Sequence, residues 1–302
     1  MEILKTNDLT KNYKSQIAVN KVNMIINEGD IYGFVGENGA GKTTLIRMVT
    51  GLIQQTSGTF SLFKNGKVNH ASNHHIGAVV ETPSLYLNMN AMDNLRTQAK
   101  IIGLKGDLKD QLVELLNLVG LNEVVNSKKT VKNFSLGMKQ RLSIALTLLS
   151  NPKFLILDEP MNGLDPEGIV SMRNLIKHLN EERGITFLIS SHILDELSKV
   201  ATRYGFIHKG VLIKEISKEE LKEKGKRHIV VVVDKPTEAL QVLKQRGLTQ
   251  LELVDYSINI YDEAVIGDIV VTLSQSNIKV LNVFHKEKTI EEYYLELMGG
   301  IL

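Results

Sequence analysis

Cysteine is absent from all 302 residues, which excludes disulfides and any zinc or redox site built on thiolates. An excess of one charge is missing too: 36 basic residues face 34 acidic ones, for a net charge of +2. The chain therefore makes no electrostatic demand for a nucleic acid or another strong polyelectrolyte, and no nucleic-acid partner is expected. No uninterrupted apolar stretch reaches the roughly 18 residues that a membrane-spanning helix needs. The opening Met-Glu-Ile-Leu-Lys-Thr-Asn-Asp lacks the basic and apolar blocks of a signal peptide. These absences suit a reducing cytosol, with any membrane work passing through a separate protein. What the chain does contain is core-forming material: 43% of it is hydrophobic, enough over this length to build two domains. His70, His74 and His75 lie close together but have no framing acid or cysteine, and they read as a solvated loop.

The most informative segment is Gly36-Glu-Asn-Gly-Ala-Gly-Lys-Thr-Thr44, placed between the apolar run ending at Val35 and the helical pattern Leu45-Ile-Arg-Met-Val49. Strand, glycine-rich loop and helix in that order form a phosphate-binding loop. The backbone of Asn38, Gly39, Ala40 and Gly41 would curl into an anion nest, and a helix starting near Lys42 would add its positive end. Lys42 would reach the β- and γ-phosphates, with Thr43 and Thr44 opening the helix and the Thr43 hydroxyl available to Mg²⁺. The plainer alternative is a glycine-rich turn ahead of a helix.

A second segment, Phe154-Leu-Ile-Leu-Asp158-Glu159, is a short apolar strand ending in two carboxylates. In an open parallel sheet, ligands gather at the carboxyl ends of strands, so both acids should arrive beside the phosphates. Asp158 would serve Mg²⁺, and Glu159 would polarise the attacking water. Asp-Glu-Pro opening a turn is the alternative. Asn133-Phe-Ser-Leu-Gly-Met-Lys-Gln-Arg141 precedes another helical run, with Ser135 as cap and Gly137 permitting close approach to a second phosphate contact. Thr186-Phe-Leu-Ile-Ser-Ser-His192 repeats the design of a strand delivering one polar group, here a histidine able to hydrogen-bond a γ-phosphate oxygen.

On these motifs residues 1–215 resemble the nucleotide-binding subunit of an ATP-binding-cassette (ABC) transporter, Phe134-Ser-Leu-Gly-Met-Lys-Gln-Arg141 being the most specific element. The resemblance implies ATP and Mg²⁺ as ligands. It places Tyr13 against adenine, Val19 in the floor of that pocket, Asp158 at the magnesium site, and Glu159 with His192 in hydrolysis alongside Lys42. It also implies a second nucleotide-binding subunit, identical or similar to this chain, packed head to tail. ATP would then lie between one phosphate loop and the Ser135, Gly137 and Met138 segment of the partner, and Gly163-Leu-Asp165 would face across the dimer. A membrane permease is the further partner, which makes the chain cytoplasmic and peripheral to the inner face of the membrane.

One position departs from the family. After Ile76-Gly-Ala-Val-Val80, where the family usually has glutamine, this chain has Glu81. A carboxylate can ligate Mg²⁺ but cannot donate to water or phosphate. Val80-Glu-Thr-Pro-Ser-Leu-Tyr86 resembles the subgroup of bacitracin-resistance and lantibiotic-immunity cassettes, which implies export of cell-envelope-active antimicrobial peptides.

The fold class expected is α/β: a phosphate-loop ATPase core with a helical subdomain over about 88–150. There, apolar residues recur at helical spacing in 93–102 and 112–119. Residues 216–302 form a second, α+β domain. Its pattern of strand (228–234), helix (237–245), two strands (251–254 and 258–261), helix (264–274), strand (278–284) and closing helix (289–298) follows the order of a ferredoxin-like fold. No catalytic constellation stands in it. Two other functional classes compete with a transport ATPase. A soluble cassette acting on ribosomes would usually carry two cassettes in one chain, and one acting in DNA repair would separate Lys42 from Ser135 by a long coiled coil, whereas here fewer than a hundred residues lie between them. A non-hydrolysing cassette would show damage at Lys42 or Glu159, and both are intact.

Overall fold

The opening segment folds as antiparallel strands: β1 (Glu2–Tyr13) pairs with β2 (Gln16–Val22), with β3 (Ile25–Asn27) and, later in the chain, with β5 (Ser57–Leu62). The computed structural model describes residues 1–14, 16–63, 75–81, 84–224, 228–262, 264–286 and 289–299; His70 and His74 lie outside these. The chain divides into two units, Met1–Lys218 and Glu219–Leu302.

In the first unit, β4 (Ile31–Val35) leads into α1 (Lys42–Val49), and β6 (Ile76–Val79) precedes the helices α2 (Ala91–Ile101), α3 (Lys109–Leu118) and α4 (Leu136–Leu148). Then follow β7 (Phe154–Asp158), α5 (Pro166–Arg183), β8 (Thr186–Ser191), α6 (Leu194–Ser198), β9 (Arg203–His208) and β10 (Val211–Ser217). β4, β7 and β8 are buried at every position, as strands must be when both faces of a parallel sheet are covered. They lie together in a six-stranded sheet of order β10-β9-β4-β8-β7-β6, parallel from β9 through β6. The register sets Val35 beside Ser191 and Asp158 beside Ser190, so the residues that follow β4, β7 and β8 emerge at one edge.

Leu45 and Ile46 of α1 pack with Phe34, Phe154, Leu188 and Ile207 in the core, each burial contributing about 1.5–3 kcal/mol. That packing fixes where the helix starts. The boundary between units falls after Lys218, beyond the position expected from sequence, because β10 runs through Glu215 to Ser217. The Glu215 carboxylate accepts a 2.8 Å hydrogen bond from the buried Tyr32 hydroxyl of β4. Burial, reinforced by that carboxylate, pushes the Tyr32 pKa well above its ordinary value and keeps the hydroxyl a donor.

The helix α7 (Lys218–Lys224) spans the boundary. The second unit contains β11 (His228–Val233), α8 (Pro236–Gln245), β12 (Leu251–Val254), β13 (Ser257–Ile260), α9 (Ile266–Gln275), β14 (Val280–Lys286) and α10 (Ile290–Gly299). Its four strands pair antiparallel in the order β12-β13-β11-β14. Ile229, Val231, Ile258 and Ile260 pack against Leu243 and Leu273 of the two crossover helices.

Candidate active site

β4 delivers Gly36 into a turn that side chains would block. A Cβ on Gly36 would stand 2.5 Å from the Ile207 carbonyl oxygen, and one on Gly41 would stand 2.4 Å from that of Ala18. Gly41 also takes φ 108°, in the left-handed region. α1 begins at the next residue, so its unpaired N–H groups and positive end open into the loop. Lys42 is only 5% exposed. Its ammonium donates to the Gly36 and Glu37 carbonyls at 2.6 and 3.2 Å and ion-pairs with Glu159 at 3.3 Å.

Opposite the loop, Asp158 closes β7 at 8% exposure. One carboxylate oxygen accepts from the Thr43 hydroxyl at 2.9 Å and the other from the Ser190 hydroxyl at 2.5 Å. A hydroxyl and a carboxylate held together at a helix start form the hard oxygen donor set that Mg²⁺ prefers, so these residues fit that ion. Glu159 follows with φ 50°, a backbone state that costs a non-glycine residue about 1 kcal/mol or more. Its N–H donates to the Ser190 carbonyl at 3.2 Å and to the Ser190 hydroxyl at 3.0 Å. Its carboxylate is held between the Lys42 ammonium and the His192 Nδ1, the latter at 2.8 Å. The arrangement offers cationic and N–H groups for phosphate, oxygen ligands for a divalent ion, and a carboxylate oriented by a histidine as a general base.

The other residues picked out by sequence fall around this centre. Asn38 and Gly39 are exposed at the loop crest, and Thr44 is half-buried on the first turn of α1. Tyr13 is exposed, with the Lys11 ammonium 5.1 Å from its ring centre. Val19 is fully buried in the core, and its Cγ2 lies 3.4 Å from where a Gly41 Cβ would be. Ser135 is exposed and caps α4 by accepting from the Met138 N–H at 3.2 Å, while the Gly137 carbonyl accepts from Arg141. Asp165 caps α5 through the Gly168 N–H at 3.0 Å. Gly163 lies against Leu136, since a Cβ there would meet its side chain at 3.1 Å.

Among the described residues, no hydrogen bond or ion pair links Ser135, Gly137 or Met138 to Lys42, Thr43, Asp158 or Glu159. Glu81 takes φ 59° and its carboxylate pairs with Arg47 of α1. Sequence reasoning missed Arg47 and Ser190. The signal for Ser190 is a hydroxyl residue directly after the apolar run Phe187 to Ile189 of a fully buried strand.

The model of the ABC transporter family matches residues 19–162. The bacitracin transport ATP-binding protein of Bacillus licheniformis is 41% identical over 99% of this chain and 98% of its own length. The lantibiotic transport ATP-binding protein of Streptococcus pyogenes is 43% identical over 70% of this chain and 90% of its own. Among solved structures, an ATP-binding cassette of an ABC transporter in its ADP conformation superposes with a TM-score of 0.63 at 25% identity, covering 73% of this chain and 93% of that one. A component of an ABC transporter complex from Clostridium perfringens reaches 0.65 at 26% identity, covering 82% and 97%. With its phosphate loop, paired acids and histidine gathered at one sheet edge, and with relatives matched along the whole length, the chain belongs to the ABC transporter family as an ATP-binding protein that hydrolyses ATP.

Proposed function

We propose that this chain powers a separate membrane permease that exports cell-envelope-active antimicrobial peptides of the bacitracin or lantibiotic kind. The observation that carries the cargo class is the 41% identity, over nearly all of both chains, to a bacitracin transport ATP-binding protein. Among the described residues no helix is long and apolar enough to cross a membrane. That is consistent with a subunit that works at the inner face of the membrane by gripping a permease.

In this reading the Lys42 ammonium exchanges its hold on Glu159 for the β- and γ-phosphate oxygens of ATP, while the N–H groups of Asn38 to Thr44 cradle them. Thr43 and Asp158 would hold Mg²⁺, which when bound neutralises phosphate charge. Glu159 takes a proton from the attacking water, and His192 fixes the carboxylate and reaches the γ-phosphate. Tyr13 stacks on adenine and Val19 supports the loop from below.

Ser135, exposed at the cap of α4, forms with Gly137 and the buried Met138 the half-site that closes over the ATP of a second nucleotide-binding subunit, with Asp165 at the crossing. The exposure of Ser135 at the start of α4 supports a site completed by a partner. The strand order β12-β13-β11-β14 with two crossover helices supports a ferredoxin-like accessory domain for residues 219–302.

The test is peptide tolerance. Deleting the gene should lower the concentration of bacitracin or a lantibiotic that stops growth, and the intact chain, but not Lys42→Ala, should restore it. Unchanged tolerance toward both peptide classes would contradict the cargo assignment.

A further inference from the structure

Ser190 is fully buried at the penultimate position of β8, directly after the apolar run Phe187, Leu188 and Ile189. A buried hydroxyl is costly unless its bonds are made. This one makes two that no helix or sheet requires. It donates to the Asp158 Oδ1 at 2.5 Å and accepts from the Glu159 N–H at 3.0 Å. The Ser190 carbonyl accepts from the same N–H at 3.2 Å, so Glu159 is tethered twice at the residue whose φ of 50° lies in the left-handed region.

The two bonds have separate consequences. With Oδ1 occupied by Ser190, the Asp158 carboxylate is fixed in rotation and its Oδ2 is left facing the Thr43 hydroxyl 2.9 Å away. With the Glu159 N–H held, the backbone turn that aims the Glu159 side chain at Lys42 and His192 is held as well. An aliphatic residue at position 190 would keep β8 buried and paired, but would leave Oδ1 of a carboxylate at 8% exposure without its donor.

We infer that Ser190 is a positioning residue of the ATPase site, which orients the Asp158 carboxylate toward the divalent ion and locks the backbone of Glu159. The inference rests on the reading of Thr43 and Asp158 as the Mg²⁺ donors and of Glu159 as the base. Ser190 itself touches neither ATP nor water. Its effect appears as a change in how tightly Mg²⁺ is taken up and in kcat, while metal-free nucleotide binding, which depends on Lys42 and the loop N–H groups, stays as it is.

The test is equilibrium binding of a fluorescent ATP analogue by the full chain, read by polarisation first in EDTA and then along a Mg²⁺ titration, for the native protein and for Ser190→Ala, Ser190→Cys and Ser190→Thr. Ser190→Cys keeps the volume but not the strong donor, so it carries the test if the alanine variant does not fold. Ser190→Thr keeps the hydroxyl. The expected result is EDTA-condition affinity within about twofold of native in all variants. The Mg²⁺ midpoint should rise about tenfold in the alanine and cysteine variants, the equivalent of one hydrogen bond to a charged group, and return toward native in the threonine variant. A native Mg²⁺ midpoint and native kcat in folded Ser190→Ala or Ser190→Cys would overturn the inference. If the unaltered protein bound the analogue without any Mg²⁺ dependence, the Mg²⁺-donor reading itself would fall instead.

Discussion

The Thr43 hydroxyl donates to the Asp158 carboxylate at 2.9 Å although the two residues are 115 positions apart in sequence. That single bond ties the first turn of α1 to the end of β7 and places a helix N-terminus beside a buried acid. Its consequences can be measured one residue at a time.

Replacing Lys42 by alanine removes the cation that the loop carbonyls and Glu159 hold. Affinity for ATP should fall by about a hundredfold or more, as expected when one member of a buried charge pair is lost. Isothermal titration would read the change. Native affinity would remove Lys42 from the phosphate site.

Glu159→Gln keeps the shape of the side chain but not its basicity. ATP binding should persist while turnover drops by roughly 10²- to 10⁴-fold, the range that a general base contributes. A phosphate-release assay gives the rate, and sedimentation in ATP should show a dimer accumulating. Native turnover would mean that another group serves as base.

Gly41→Ala sets a Cβ 2.4 Å from the Ala18 carbonyl oxygen at a φ of 108°. The loop must shift, costing about 1–3 kcal/mol of stability and most of the nucleotide affinity. Thermal melting and ATP titration together check this. Gly51 makes a matched control: its φ is also positive, but no atom lies within 4 Å of its Cβ position. Gly51→Ala should therefore lose only the backbone share, about 1 kcal/mol of stability, while keeping ATP affinity.

Glu81 separates two readings that the residue type alone leaves open. Its side chain is 55% exposed and paired with Arg47, and such exposed pairs are worth about 0–1 kcal/mol. Glu81→Gln should therefore leave the melting temperature nearly unchanged and shift the Mg²⁺ midpoint of the ATPase by no more than about twofold. A large shift in that midpoint would put the Glu81 carboxylate among the metal ligands.

How far the sequence anticipates this site depends on the range of the contact. Lys42 and Thr43 are legible because loop, strand and helix are contiguous. Asp158 and Glu159 are legible because an apolar run ending in two acids needs partners at a strand terminus. The elements of the second unit are legible from period and spacing, and each lies within two or three residues of its expected bounds. Contacts made by tertiary packing are not legible. The bonds of Ser190 to Asp158 and Glu159 depend on β7 and β8 lying side by side in one register, and the Arg47 to Glu81 pair joins positions 34 apart. Val19 reads as the floor of a pocket from the family pattern, and only packing reveals that it lies fully within the core beneath the loop. The end of β10 at Ser217, two residues past Glu215, likewise follows from its antiparallel pairing with β9, where Ser217 lies opposite Arg203, rather than from composition.

The proposed action of this ATPase on a membrane permease can be tested on the protein in its native membranes. The most direct measurement is to tag the Glu159→Gln variant, trap it with ATP in its native membranes, extract it, and identify the polypeptides that co-purify. The expected result is a multi-spanning membrane protein present in proportion to the tagged chain and lost when Lys42→Ala is added; ribosomal or DNA-bound material in its place would contradict action on a permease.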